Sequence, residues 1–313
     1  MSQPTYLPRQ YSNQKEELAD LIVDFLEQLN VDRVFGVPGG SIEPFFNAMA
    51  RSARRGGLRP VVARHETGAA FMAAGYARET GKIGVCCATT GPGATNMVTG
   101  VASAYVEQLP LLVITAQTAL HLFGRQALQE SSCTAVNTVE MFRSCTRYST
   151  LISHRGQLEE KLISAISIMK NIPSGPVHLS IPTDVLASPR RIGTRRAIFN
   201  VEAIANRPQI IDADTFGRLV EELEKARKVV FLLGNGCQKA VPAIISLAES
   251  LNASIVTGPS GKRWIDHRHP LYRGVIGYAG HSSANQVFLD PENDLIIAIG
   301  TRLGDMVYGP CPR

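Results

Sequence analysis

Residues 31–40 read Val31-Asp32-Arg33-Val34-Phe35-Gly36-Val37-Pro38-Gly39-Gly40. The β-rich stretch 31–37 runs into a turn that no strand can continue through, because Pro38 has no amide hydrogen and two glycines follow it. Ser41 is then placed to cap a helix through Phe45, Phe46 and Met49. Upstream, apolar residues at Leu18, Ile22, Phe25, Leu26 and Leu29 have the three-to-four spacing of an amphipathic helix over 15–29. The same alternation recurs downstream, with strands expected at 58–63, 83–88 and 110–116 and helices at 66–79 and 93–106. A helix over 158–169 and a strand over 177–181, closed by Pro182, complete the unit. Strands alternating with helices predict a doubly wound α/β fold, a parallel sheet covered on both faces.

A second α/β unit is expected to begin with a helix over 213–225. Strands at 229–233, 254–257 and 295–299 follow, with a helix around 244–251. The reading divides the chain into a first domain at 1–187, a linker at 188–208 and a second, incomplete domain at 209–313. About three strands are recognisable in the second unit, where a doubly wound sheet has five or six.

With 313 residues, 44% of them hydrophobic and 19% charged, and a mean hydropathy of +0.01, the chain is an ordinary globular sequence. The net charge of +5 is modest. The arginine groups 51, 54, 55, 59 and 190, 191, 195, 196 lack the interleaved aromatic residues of a base-stacking surface, so they read as solvated faces and no nucleic-acid partner is expected. Six cysteines without a C-x-x-C pair give neither a zinc site nor a disulfide framework, and no metal ligands are assigned. No apolar run approaches the ~20 residues of a membrane span. The expected location is cytoplasmic, with no membrane partner.

Three stretches can carry chemistry. In Arg64-His65-Glu66-Thr67-Gly68-Ala69-Ala70 a carboxylate falls where a strand meets a helix rich in small residues. In open α/β sheets that end of the strand is where ligands bind, although a Glu in a first helical turn also simply complements the helix dipole. Thr89-Thr90-Gly91-Pro92-Gly93-Ala94-Thr95-Asn96 is a strand exit with no bulky side chain, open to close approach by a ligand. Gln117 and Gln129-Glu130 place amides at the same sheet edge, where they read equally as surface polar residues. Gly258-Pro259-Ser260-Gly261-Lys262 is too short for a phosphate loop.

Together, V-F-G-V-P-G-G (34–40), R-H-E-T-G-A-A (64–70), G-Y-A-R-E-T-G-K (75–82), T-T-G-P-G-A-T-N (89–96), 111–117 and L-Q-E (128–130) resemble the thiamine-diphosphate enzymes of the acetolactate synthase type. The resemblance implies a pyrimidine-binding domain followed by part of a central domain. It implies that Glu66 hydrogen-bonds the cofactor's aminopyrimidine, favouring the imino form that deprotonates the thiazolium carbon, and that Gln129 reaches toward the reacting substrate. Pro38, Gly39, Gly40, Thr90, Gly91, Pro92, Asn96 and Gln117 are implied to shape the cofactor pocket. The implied activity is decarboxylation of a 2-oxo acid and its joining to a second carbonyl, in a homodimer or tetramer.

Departures bear on specificity. Pro173-Ser174-Gly175-Pro176-Val177 lacks the preceding arginine of flavin-binding relatives, Thr183 stands in an I-P-K-D context, and Leu128 stands where a Phe is usual. In the second unit Gly234, Gly236, Thr257, Gly277, Gly300 and Arg302 resemble a pocket that takes FAD or ADP, or stands empty. No G-D-G segment occurs, so the Mg2+ and diphosphate half of the cofactor site is expected elsewhere, and the chain by itself is expected not to turn over. The alternative is a non-catalytic nucleotide-binding or assembly subunit paired with a separate diphosphate-binding chain.

Overall fold

A computed structural model describes residues 16–190, 211–277 and 279–304. The chain divides into two units, residues 1–208 and 209–313, and each is taken by itself.

In the first unit, α1 (Leu18–Gln28) and β1 (Arg33–Gly36) form where the sequence places them. Ser41 does not cap the next helix. It lies inside a single 3-10 turn, Gly40–Ile42, that feeds directly into α2 (Glu43–Arg54), whose first turn holds Pro44. β2 (Arg59–Val62), α3 (Glu66–Thr80) and β3 (Gly84–Ala88) follow. The single helix expected over 93–106 is two, α4 (Pro92–Asn96) and α5 (Val98–Val106). At Met97 the ladder tightens, its N–H donating to the Ala94 carbonyl at 3.1 Å.

β4 (Leu111–Gln117), α6 (Thr138–Arg143), β5 (Tyr148–Leu151), α7 (Leu158–Lys170), β6 (Val177–Pro182) and α8 (Thr183–Leu186) complete the unit. The six strands are all parallel in the order β2-β1-β3-β4-β6-β5. The pleat divides the core in two. Val85, Cys87, Leu112 and Ile114 face α1, α2, α7 and α8, while Cys86, Ala88, Leu111 and Val113 face α3 to α6. The second face is built on alanine, and Gly84 explains why. A Cβ there would lie 2.2 Å from the Ala73 carbonyl oxygen, so α3 rides directly on β3.

Two of the arginines read as solvated instead join helices. Arg51 forks onto Asp20 (2.8 Å at both oxygens) and Arg55 reaches Glu27 (2.9 Å), tying α2 to α1. Arg190 binds Asp24 at 2.5 Å, and Pro189 bridges to Glu17, so the start of the expected linker packs back on α1. The rest of it, residues 191–208 with Arg195 and Arg196, lies outside the described residues.

The second unit has four described strands where three were expected. β7 (Val229–Leu233), β8 (Ser254–Thr257), β9 (Tyr272–Val275) and β10 (Leu295–Ile299) form a parallel sheet in the order β10-β7-β8-β9. Helix α9 (Ala213–Lys225) leads into β7, α10 (Val241–Ser250) joins β7 to β8, and α11 (Ser282–Phe288) joins β9 to β10. No helix among the described residues is long and apolar enough to cross a membrane.

Candidate functional site

Although β1 and β3 are neighbours, the chain leaves β1 toward β2 on one side and leaves β3 toward β4 on the other. Loops that diverge in this way open a crevice at the carboxyl ends of the strands. The Pro38-Gly39-Gly40 turn leaves β1 there and Thr89-Thr90-Gly91-Pro92 leaves β3. The turns touch, since a Cβ on Gly39 would lie 2.7 Å from Thr89 Cβ. A Cβ on Gly40 would meet nothing within 4 Å. The backbone at Gly40 is therefore open to close approach.

Glu66 opens α3 from the end of β2. Capping this helix falls to His65, whose Nδ1 accepts from the Thr67 amide at 3.2 Å, so the Glu66 carboxylate is free for another task. Its Oε2 accepts from Asn96 Nδ2 at 3.0 Å. Asn96 is held in turn by its carbonyl, which accepts from the Thr67 hydroxyl. The break between α4 and α5 thus presents Asn96 to the first turn of α3. Oε1 of Glu66 has no hydrogen-bond partner among the described residues, and beside it is a notch. A Cβ on Gly93 would stand 3.3 Å from Oε1 and 2.8 Å from Thr89 Cγ2. The half-buried carboxylate is therefore anchored at one oxygen and open at the other, an arrangement that can accept or donate one hydrogen bond to a ligand's ring nitrogen.

Gln117 and Thr90 are engaged differently. Gln117 is fully buried, and its Oε1 accepts from the amides of Thr118 (2.9 Å) and Ser131 (3.1 Å). Its Nε2 donates to Ser131 Oγ (3.0 Å). Thr90 Oγ1 is 3.0 Å from both Gln117 Oε1 and the Gln129 carbonyl, and 2.7 Å from Ser131 Oγ. These side chains hold protein to protein. Gln129 sits on the outer surface of this knot in the left-handed region (φ 58°), and its Cβ would be 2.9 Å from a Cβ at Gly91. Gly91 itself has φ 60° and ψ −120°, a conformation reserved for glycine. Glu130 closes the loop behind it. Its Oε1 accepts from Gly124 N (2.9 Å) and from the hydroxyls of Ser132 and Thr134, which hold the carboxyl down at about 2.

The ten candidate residues of the first unit therefore gather at one sheet end, in two groups joined by the turn 89–93. Pro38, Gly39, Gly40, Glu66 and Asn96 form one, with Gly93 beside them, and Thr90, Gly91, Gln117 and Gln129 the other, with Pro92 in the turn between. Ser131, at the centre of the second group, was not singled out in the sequence, where it is one serine in an unassigned stretch.

In the second unit Gly234, Gly236 and Gly300 converge where β7 and β10 end. Cβ atoms on Gly234 and Gly236 would lie 2.2 Å from the Gly300 oxygen and 3.0 Å from its Cα. Two backbones crossing account for these glycines, with no room asked for a nucleotide. Thr257 is buried against the Tyr272 hydroxyl (2.9 Å), Gly277 N donates to Asn285 Oδ1 (3.2 Å), and Arg302 is exposed.

A parallel-sheet crevice with an anchored carboxylate and a glycine-walled notch is the architecture of a cofactor-binding α/β enzyme, and family comparison identifies which. Residues 16–138 match the thiamine pyrophosphate enzyme N-terminal TPP binding domain and 216–313 match the thiamine pyrophosphate enzyme central domain. The chain belongs to the thiamine pyrophosphate enzymes. It is 34% identical over 307 residues to acetolactate synthase isozyme 1 large subunit of Escherichia coli, covering 94% of this chain and 51% of that protein. It is 33% identical over 302 residues to an acetolactate synthase of Arthrospira platensis (92% and 49%), and 30% identical over 308 residues to the chloroplastic enzyme of Arabidopsis thaliana (97% and 44%). The chain spans about half the length of the curated relatives it matches.

Proposed function

We propose that this chain supplies the aminopyrimidine-binding half of a thiamine-diphosphate-dependent carboligase of the acetolactate synthase kind, with a 2-oxo acid as donor and a second carbonyl as acceptor. The observation that carries the reading is the Glu66 carboxylate, fixed at Oε2 by Asn96 and open at Oε1 beside Gly93. The residues fit the group, because the turn at Gly40 leaves backbone accessible and the glycine at 93 keeps a side chain away from the open oxygen of the acid. When bound, thiamine diphosphate supplies the electron sink that loss of carbon dioxide from a 2-oxo acid requires. Glu66 holds and returns a proton at Oε1, and the Asn96 amide keeps the other oxygen from turning away. Gly39, Gly40 and Gly93 keep side chains out of the pocket, and Gln129 stands at its rim toward the substrate. The diphosphate and Mg2+ half is assigned to a segment outside these residues. Assembly as a homodimer belongs to the same proposal, supported by the exposed apolar side chains of Val62, Phe71 and Met72 beside β2 and along α3.

The test is Glu66→Gln in the complete polypeptide, which preserves shape and removes the exchangeable proton. Turnover should fall by about 10²–10⁴, the usual loss for a positioned acid or base. Near-normal turnover would leave Glu66 as a structural partner of Asn96.

A further inference from the structure

Ser131 is fully buried, and all of its polar atoms are engaged. Its Oγ receives hydrogen bonds from Gln117 Nε2 (3.0 Å) and the Gly91 amide (3.2 Å), leaving its own hydrogen to point at Thr90 Oγ1, 2.7 Å away. The Thr90 hydroxyl is then the donor to Gln117 Oε1 or the Gln129 carbonyl. The Ser131 amide donates to Gln117 Oε1, and the Ser131 carbonyl accepts from the Thr138 amide and hydroxyl (3.3 and 3.2 Å). One serine thus joins the end of β4, the turn after β3 and the start of α6, two residues beyond Gln129. None of these bonds involves Glu66 or Asn96, which are held from α3.

We propose that Ser131, acting with Gln117 and Thr90, is a positioning residue that fixes Gln129 against the Gly91 turn, so that donor-substrate recognition depends on it and cofactor-ring binding does not. The proposal rests on the thiamine-diphosphate reading given above. Hydroxyls and one amide suit this task because each bond is directional and none carries charge. The knot can therefore be dry, and an amide left unpaired inside it costs more than an ordinary bond gains. Glu130 adds the second anchor, so the 124–134 loop is a closed piece attached to the sheet at Ser131.

The experiment compares the complete polypeptide with Ser131→Ala, Gln129→Ala and the double variant. It reads KM for pyruvate, the thiamine diphosphate Kd by calorimetry, and hydrogen exchange at the Gly91 amide. Ser131→Ala should raise KM and lower Gly91 protection about ten-fold each, with the thiamine diphosphate Kd within about two-fold, and in the Gln129→Ala background it should cost almost nothing more in KM, as residues acting through one another do. Thr90→Val, nearly isosteric, should reproduce the KM effect if Ser131→Ala fails to fold. Effects of Ser131→Ala and Gln129→Ala that multiply, a cofactor Kd that moves with KM, or unchanged Gly91 exchange would overturn the proposal. Should the wild-type protein bind no thiamine diphosphate, the functional reading falls with it. The exchange at Gly91 then still decides whether Ser131 holds the turn.

Discussion

His178 is the second residue of β6, fully buried, with Nε2 2.8 Å from the Thr115 hydroxyl, Nδ1 2.8 Å from the Ser149 hydroxyl, and its ring 4.2 Å from that of Phe142. Burial pushes its pKa down from 6.5 to about 3. The unfolded chain therefore binds a proton that the folded chain refuses between those values, and stability falls as pH drops through 6.5. Each pH unit in that window costs about 1.4 kcal/mol, so the loss is about 2 kcal/mol at pH 5 and approaches about 5 kcal/mol near pH 3. The test is His178→Gln, which keeps hydrogen-bonding capacity and removes the titration. Hydrogen exchange of the Leu179 and Ile181 amides between pH 7 and pH 5, corrected for the intrinsic rate, reports the first unit. The sole tryptophan, Trp264, reports the second unit by fluorescence and serves as an internal control. The wild type should lose about 2 kcal/mol of protection over that range and the variant almost none, with the Trp264 transition equal in both. Equal slopes for the two proteins at Leu179 and Ile181 would refute the assignment.

Three further outcomes follow from the geometry. Gly93→Ala should leave the fold assembled yet weaken thiamine diphosphate binding about ten-fold or more, because the added methyl stands 3.3 Å from Glu66 Oε1 and overfills the notch; calorimetric titration reads it. Gly91→Ala places a Cβ 2.8 Å from the Gln129 oxygen at φ 60°, so urea denaturation should show a loss of about 2 kcal/mol or more. Arg51→Ala removes the two-pronged bridge from α2 to Asp20, and because that pair is only partly exposed, denaturation should show a loss of about 1 kcal/mol that shrinks in high salt.

How much was legible depended on the side chains each strand carries. Leu111–Gln117, Val177–Pro182 and Val229–Leu233 are buried along their whole lengths and are dominated by Val, Leu and Ile, with Val229–Leu233 an unbroken apolar run. The strands that went unread, Tyr148–Leu151 and Tyr272–Val275, are edge strands with half-exposed, polar or charged residues and a glycine. Edge position alone does not hide a strand, since the edge strands Arg59–Val62 and Leu295–Ile299 were legible. Tyr148–Leu151 and Tyr272–Val275 were missed because polar or charged residues and a glycine leave too few β-favouring side chains in four positions. The break at Met97 was hidden for another reason. Nothing in Gly93–Val106 forbids a continuous helix, and the interruption comes from contacts made across the fold, with the Thr67 hydroxyl taking the Asn96 carbonyl that a continuous helix would use. Glu66 was legible because a carboxylate at a strand-to-helix joint is chemically conspicuous. Ser131 was not, because it and its neighbour Ser132 are both buried and look alike in sequence, and only the bonds Ser131 makes to Gln117, Thr90 and Gly91 set it apart.

The glycines of the two crevices look alike in sequence and differ in what they permit. At Gly234 a side chain would strike the backbone of Gly300, and at Gly39 the side chain of Thr89, so both are glycine because protein must pass protein. Gly40 faces open space, and the Gly93 position is bounded by one methyl and by the free oxygen of Glu66. Of these glycines, Gly93 alone adjoins a group able to exchange a proton, its missing Cβ falling 3.3 Å from Glu66 Oε1. A glycine-rich turn is therefore weak evidence for a ligand until its missing Cβ has been placed. Once placed, it favours the crevice between β1 and β3 over the end of β7 as the site proposed above for the cofactor.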